Sequence, residues 1–156
     1  MLSGEKTGST MIEVLMTIAV AATIAAAAGI TYMRAYRITA LKNAAEEIVT
    51  GIRFAQQRSM SQEQGLGWGI NINNTDASNP YFDVFSGTYA PANIAYHYAL
   101  PNVLGFQSPG SGFNVEINFA KVTGIPSTST VIILINRGSP KTKTVTINEF
   151  GGVSTD

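Results

Sequence analysis

Twenty consecutive residues, Val14–Met33, carry no charged side chain, and one carboxylate, Glu13, stands at their leading edge. At 1.5 Å per residue a helix of that length is about 30 Å long, the thickness of the hydrocarbon core of a bilayer. The run therefore reads as a membrane-spanning helix. A carboxylate at the centre of such a helix costs about 2.5–3.5 kcal/mol on insertion scales, so an acid held against the run asks for a functional explanation.

Charge divides the rest of the chain. Arg34–Glu63 holds eight charged residues and Gln64–Asp156 only nine, which gives three zones: an apolar rod, an amphipathic rod and a charge-poor head. Ten basic residues balance ten acidic ones, so no global field draws in nucleic acid or acidic substrates. The absence of cysteine excludes disulfides, thiolate metal sites and cysteine nucleophiles.

Beyond the apolar run, Leu41, Ala44, Ala45, Ile48, Ile52, Ala55 and Ser59 recur three and four residues apart, while Lys42, Glu46, Glu47, Arg53 and Arg58 fall on other faces. All six prolines lie after residue 79, so nothing prevents both rods from forming one helix from about Thr10 to Gln62. Gly65 and Gly67 are stop signals. Within the apolar run Ala21, Ala25 and Gly29 repeat at every fourth position, a small-residue stripe that lets helix backbones approach closely in lipid. Alanine's abundance in helices accounts for the same stripe without any packing partner.

From Trp68 onward the apolar period shortens to two. Trp68–Ile72, Tyr81–Phe85, Ile94–Leu100, Val115–Phe119, Thr130–Ile135 and Val145–Ile147 read as strands, separated by turn formers such as Ser108-Pro109-Gly110 and Arg137-Gly138-Ser139-Pro140. The expected fold class is α+β, with one or two antiparallel sheets packed on the apolar stripe of the long helix. The domain boundaries follow: a long helix over 9–63 with its transmembrane part at 14–33, and a β-rich head over 64–156.

The head offers little chemistry. His97 is the one histidine and reads as an ordinary strand or loop residue, since alone it completes neither a metal site nor a triad. Asp76 and Asp83 lie near the Asn-rich stretch Asn71–Asn79, but the glycine and glutamate spacing of a calcium loop is absent. Arg137, Lys141 and Lys143 cluster on a predicted hairpin and are candidate nucleic-acid contacts, although a charged edge that discourages strand aggregation accounts for them too. No phosphate-cradling loop, nucleophile elbow or paired carboxylate motif appears, so no catalytic residue, metal or cofactor is expected.

The N-terminus admits two readings. In one, Lys6 and the amine form a basic region, Val14–Ile24 an apolar core and Ala26-Ala27-Ala28 a cleavage site, which leaves a secreted soluble β-rich domain. Glu13 and the unbroken helix periodicity past Gly29 argue against it. In the other, Gly8-Ser9-Thr10-Met11-Ile12-Glu13-Val14-Leu15 resembles the prepilin processing motif of type IV pilin-like proteins, with a glycine before the cut and a glutamate fifth after it. The helix-then-sheet layout resembles the same family throughout the chain. Ile52-Arg53-Phe54-Ala55 and Phe119-Ala120-Lys121-Val122-Thr123-Gly124 look most like its GspH/FimT group of minor pilins and pseudopilins. Two departures stand out: Ser9 follows the cut where phenylalanine is usual, and Ile30 occupies a position where many relatives carry proline.

The resemblance implies a leader over 1–8, cleavage between Gly8 and Ser9 by a prepilin peptidase and N-methylation of Ser9. It implies an assembly role for Glu13 together with Ala21, Ala25 and Gly29. The implied partners are other pilin or pseudopilin subunits, an assembly ATPase and a membrane platform. The implied location is the cytoplasmic membrane, crossed once with the head extracytoplasmic, and then a pilus or type II secretion pseudopilus. A pilus-tip adhesin or DNA-uptake pilin using the basic hairpin is the alternative within the same resemblance.

Overall fold

The computed structural model describes residues 11–156. Helix α1 runs over Met11–Met60, through Gly29 without interruption; it ends two residues before the expected Gln62, and the expected start at Thr10 lies outside the described residues. It ends where Gln62 and Gln64 take left-handed backbone conformations (φ 51° and 57°), followed by Gly65 at φ 69°. The chain falls into two compact units that divide between Tyr36 and Arg37.

The second unit contains the rest of α1 and eight strands: β1 Trp68–Asn74, β2 Tyr81–Ser86, β3 Ile94–Ala99, β4 Leu104–Ser108, β5 Phe113–Phe119, β6 Thr130–Asn136, β7 Thr142–Ile147 and β8 Val153–Thr155. They form two antiparallel four-stranded sheets in the orders β3-β2-β1-β5 and β4-β6-β7-β8. Strands β4 and β8 are additions to those expected from the sequence. The Arg137–Pro140 turn joins β6 to β7, with Ile135 opposite Thr142.

The amphipathic stripe sets the core. Leu41, Ala44, Ala45, Ile48, Ile52 and Ala55 are all buried, and they share one apolar cluster with Ile70, Ile72, Phe82 and Ile117 of the first sheet. Leu104, Ile132, Leu134, Val145 and Ile147 of the second sheet belong to the same cluster. Three alanines in the stripe keep the helix surface low enough for side chains of both sheets to reach it. Close approach also matters within the first sheet: a Cβ on Gly69 would lie 2.6 Å from Phe85 Cζ and 2.8 Å from the Ile117 carbonyl oxygen.

Polar bonds tie the end of α1 to the sheets. The fully buried Ser59 hydroxyl accepts the Trp68 N–H at 2.6 Å and donates to the Trp68 carbonyl at 3.3 Å. Gln56 Nε2 donates to two carbonyls, Gly124 at 3.0 Å and Gly151 at 3.2 Å. These bonds tie the helix to the start of β1 and to the β5–β6 and β7–β8 connections.

Truncating Ile52, which has no exposed surface, to alanine should lower stability by about 2–5 kcal/mol through lost transfer energy and the cavity left behind. Arg53→Ala, one position along on an exposed face, should change it by less than about 0.5 kcal/mol. Denaturant titration of the detergent-solubilised chain followed by Trp68 fluorescence measures both.

Candidate functional site

Over Val14–Met33, α1 carries no charged side chain and has apolar residues on every face. Met11, Ile12, Leu15, Met16, Ile18 and Ile24 are all exposed, and the helix is long and apolar enough to cross a membrane. Its threonines turn their hydroxyls inward along the helix: Thr17 donates to the Glu13 carbonyl, Thr23 to Val20 at 2.8 Å and Thr31 to Ala27 at 3.2 Å. Such back-bonding satisfies polar groups without water, as a lipid environment requires.

Glu13 is exposed in the first turn of this helix. There a carboxylate meets the positive end of the helix dipole. Ala21, Ala25 and Gly29 lie on the same helix at four-residue spacing, and Ala21 and Ala25 are exposed. Among the described residues, a Cβ built on Gly29 would meet nothing within 4 Å. Gly8 and Ser9, the candidate cleavage residues, lie outside the described residues.

In the head, Arg137, Lys141 and Lys143 take up different surroundings. Arg137 donates to the Ala77 carbonyl in the β1–β2 connection and lies against Gly105. Lys143 lines a small hollow beside α1 with Lys42, Ala45, Glu46 and Thr155, and Lys141 is exposed. A residue that sequence reasoning did not include, Arg37 of α1, donates to the Gly138 carbonyl of the same hairpin at 3.4 Å.

Asp76 and Asp83 are also separated in role. Asp76 sits in an exposed turn, where the Asn79 side chain and the Ser78 N–H hold its carboxyl below the usual value. Asp83, with a side chain only 2% exposed, accepts the Tyr89 hydroxyl at 2.7 Å and lies 2.6 Å from His97 Nδ1. His97 is therefore an oriented residue, its ring also 5.0 Å from that of Tyr81. Asp83 and His97 meet because the β2–β3 register places them opposite each other, which a sequence pattern does not reveal. Among the described residues no group of three potential ligands is placed to hold a metal ion.

No protein-family model matches the chain, and no curated protein matches it in sequence. Solved structures do match in fold. The type IV minor pilin FimU of Pseudomonas aeruginosa superposes with a TM-score of 0.53 at 15% identity, over 74% of this chain and 92% of that one. The minor pseudopilin EpsH from the Type 2 Secretion System of Vibrio cholerae superposes with a TM-score of 0.52 at 13% identity, over 74% of this chain and 94% of that one. The fold is thus pilin-like: a long N-terminal helix and antiparallel sheets, as in these minor pilins and pseudopilins.

The Asp83 cluster makes stability depend on alkaline pH. Burial, followed by the hydrogen bond to Asp83 and its charge, raises the Tyr89 phenol well above its usual value. The folded chain therefore holds this proton after the unfolded chain has released it, and stability is complete below the unfolded phenol value of about 10 and declines as pH rises above it. Tyr89→Phe should lower stability at neutral pH and remove part of the alkaline decline. Denaturant midpoints between about pH 8 and pH 11.5 would show both effects.

Proposed function

We propose that this chain is a structural subunit of the pilin kind, a minor pilin or pseudopilin that works by assembly and not by catalysis. In this reading a prepilin peptidase cuts between Gly8 and Ser9, and Ser9 becomes the methylated first residue. Val14–Met33 then anchors the subunit in the cytoplasmic membrane with its head outside the cytoplasm. An assembly ATPase and a membrane platform next move it into a type IV pilus or a type II secretion pseudopilus. The observation that carries the reading is the first part of α1, a helix apolar on all sides joined to a head whose fold is that of minor pilins.

Glu13 has a specific task in such an assembly. Cleavage after Gly8 leaves an α-amine four residues before the carboxylate, with an ordinary pKa near 8 and hence a positive charge at neutral pH. In a bundle of staggered helices the carboxylate meets the amine of a neighbouring subunit. Pairing offsets the cost of burying either charge, so one register is favoured over all others. Ala21, Ala25 and Gly29 supply the low surface against which a neighbouring helix packs.

Mass spectrometry of the mature chain should find Ser9 at the N-terminus. An N-terminus at Gly29 would instead establish the secreted-domain reading. Glu13→Val should leave that processing intact and reduce incorporation into filaments about tenfold or more, since 1.4 kcal/mol per contact already shifts an equilibrium tenfold. Normal incorporation of the valine variant, measured by immunoblotting of sheared filaments against the membrane fraction, would remove the docking role.

A further inference from the structure

Two long stretches of the chain carry positive charge alone. From Val14 to Ala45 the charged residues are Arg34, Arg37 and Lys42, and from Ile117 to Asn148 every charged residue is again basic, including Arg137, Lys141 and Lys143 of the β6–β7 hairpin. Folding brings the two stretches together within the second unit. Arg37 Nη1 donates to the Gly138 carbonyl at 3.4 Å, and a Cβ on Gly138 would lie 2.9 Å from Arg37 Cζ, so the guanidinium rests directly on the turn. Further along α1, Lys42 and Lys143 line the same small hollow.

The chain does little to neutralise these charges. Arg37 and Arg137 bond to carbonyl oxygens, of Gly138 and Ala77, and Arg37 Nε is buried with no hydrogen-bond partner among the described residues. Lys141 is exposed. Among the described residues the one ion pair in the group joins Lys42 to Glu46 at 3.6 Å, between side chains 69% and 63% exposed, where such a pair is weak. Asp156 adjoins the hairpin through backbone bonds to Thr144. Both acids stand at the Lys42–Lys143 end of the group, and the turn at Gly138 is left to the cations.

What this face meets follows from its tether. Arg37 stands four residues beyond Met33 in α1, about 6 Å along the helix, and the headgroup layer on each side of a bilayer's hydrocarbon core is about 5–7 Å deep. Even fully extended, four residues span no more than about 14 Å, so the Gly138 turn stays near the headgroups at any angle between the two units. Tyr32 and Tyr36, both exposed, are side chains of the kind that settle at that level.

We propose that Arg37 and the β6–β7 hairpin form a docking surface for anionic phospholipid headgroups, which holds the head against the membrane before assembly. Arg37 and Arg137 present planar N–H forks that match phosphate oxygens, and each keeps donors beyond the one bonded to a carbonyl. Lys141 adds a point charge beside them. The inference rests on the reading of Val14–Met33 as a membrane anchor. Nucleic acid would use the same charges, but the tether favours lipid: a headgroup is always within reach of Arg37, whereas nucleic acid must be captured from solution by a chain of zero net charge.

The chain has no cysteine, so one introduced thiol carries one fluorophore. Full-length Ser139→Cys is labelled at the hairpin turn and full-length Ser61→Cys just past the end of α1. Each is reconstituted into vesicles of phosphatidylcholine alone or with about a quarter phosphatidylglycerol, with a nitroxide quencher on the headgroups. At about 0.1 M salt, quenching at Ser139 should be about threefold stronger in the anionic vesicles. The difference should vanish at about 1 M salt, as the screening length falls from about 10 Å to about 3 Å. Adding Lys141→Gln should lower the ratio of docked to undocked heads about fivefold, the share of one cation at a charged surface. Equal quenching at Ser139 in the two vesicle types, an equal anionic effect at Ser61, or indifference to Lys141→Gln overturns the proposal. A Ser139 probe that responds to added duplex DNA and not to phosphatidylglycerol overturns it in favour of a nucleic-acid surface. The anchor is read separately, by flotation with neutral vesicles at about 1 M salt. A chain that fails to float loses the anchor and this inference together, whereas a floating chain with an indifferent Ser139 probe loses this inference alone.

Discussion

Everything in the head depends on covering one face of α1. The stripe from Leu41 to Ser59 is the surface on which both sheets close, and its buried Leu41, Ile48 and Ile52 each gain about 1.5–3 kcal/mol from leaving water. Neither sheet is large, and each leaves apolar side chains on one face only partly covered unless the helix and the other sheet meet it. Removing the stripe would leave two hairpin systems with no common core.

The same helix has no such stripe before Arg37, because apolar residues occupy every face there. Among the described residues that surface is exposed. In the proposed function lipid and then neighbouring helices cover it, and the inward-bonded threonines suit it to both. The change from one pattern to the other falls near the division of the chain into two units between Tyr36 and Arg37.

Much of this was readable from residue order. The change of period from three or four to two after residue 67 separated helix from strands, and the charge-free Val14–Met33 run separated the two parts of the helix. Strand β4 escaped notice because Leu104 and Phe106 are its only alternating apolar residues and Gly105 lies between them. Strand β8, only Val153–Thr155, is held by its pairing with β7 and not by any apolar pattern. At the candidate sites the contrast is similar. Glu13 stands out in a sequence because it interrupts an apolar field, whereas the contact of Asp83 with His97 and Tyr89 exists only through strand register and the path of a loop. The openness of the β3 edge is likewise a property of strand order.

The bonds at the end of α1 have a mechanical side. Gln56 holds the Gly124 and Gly151 carbonyls with one amide, and Ser59 holds Trp68 from the next turn, so neighbouring side chains clamp two connections and the start of β1, three points from different parts of the head. A pull along this stretch of helix would load those bonds and the buried stripe together, in shear. Groups strained in parallel yield at far higher force than groups peeled apart in sequence. The head is therefore fastened to its helix as a rivet row fastens a plate, at several points that must fail together.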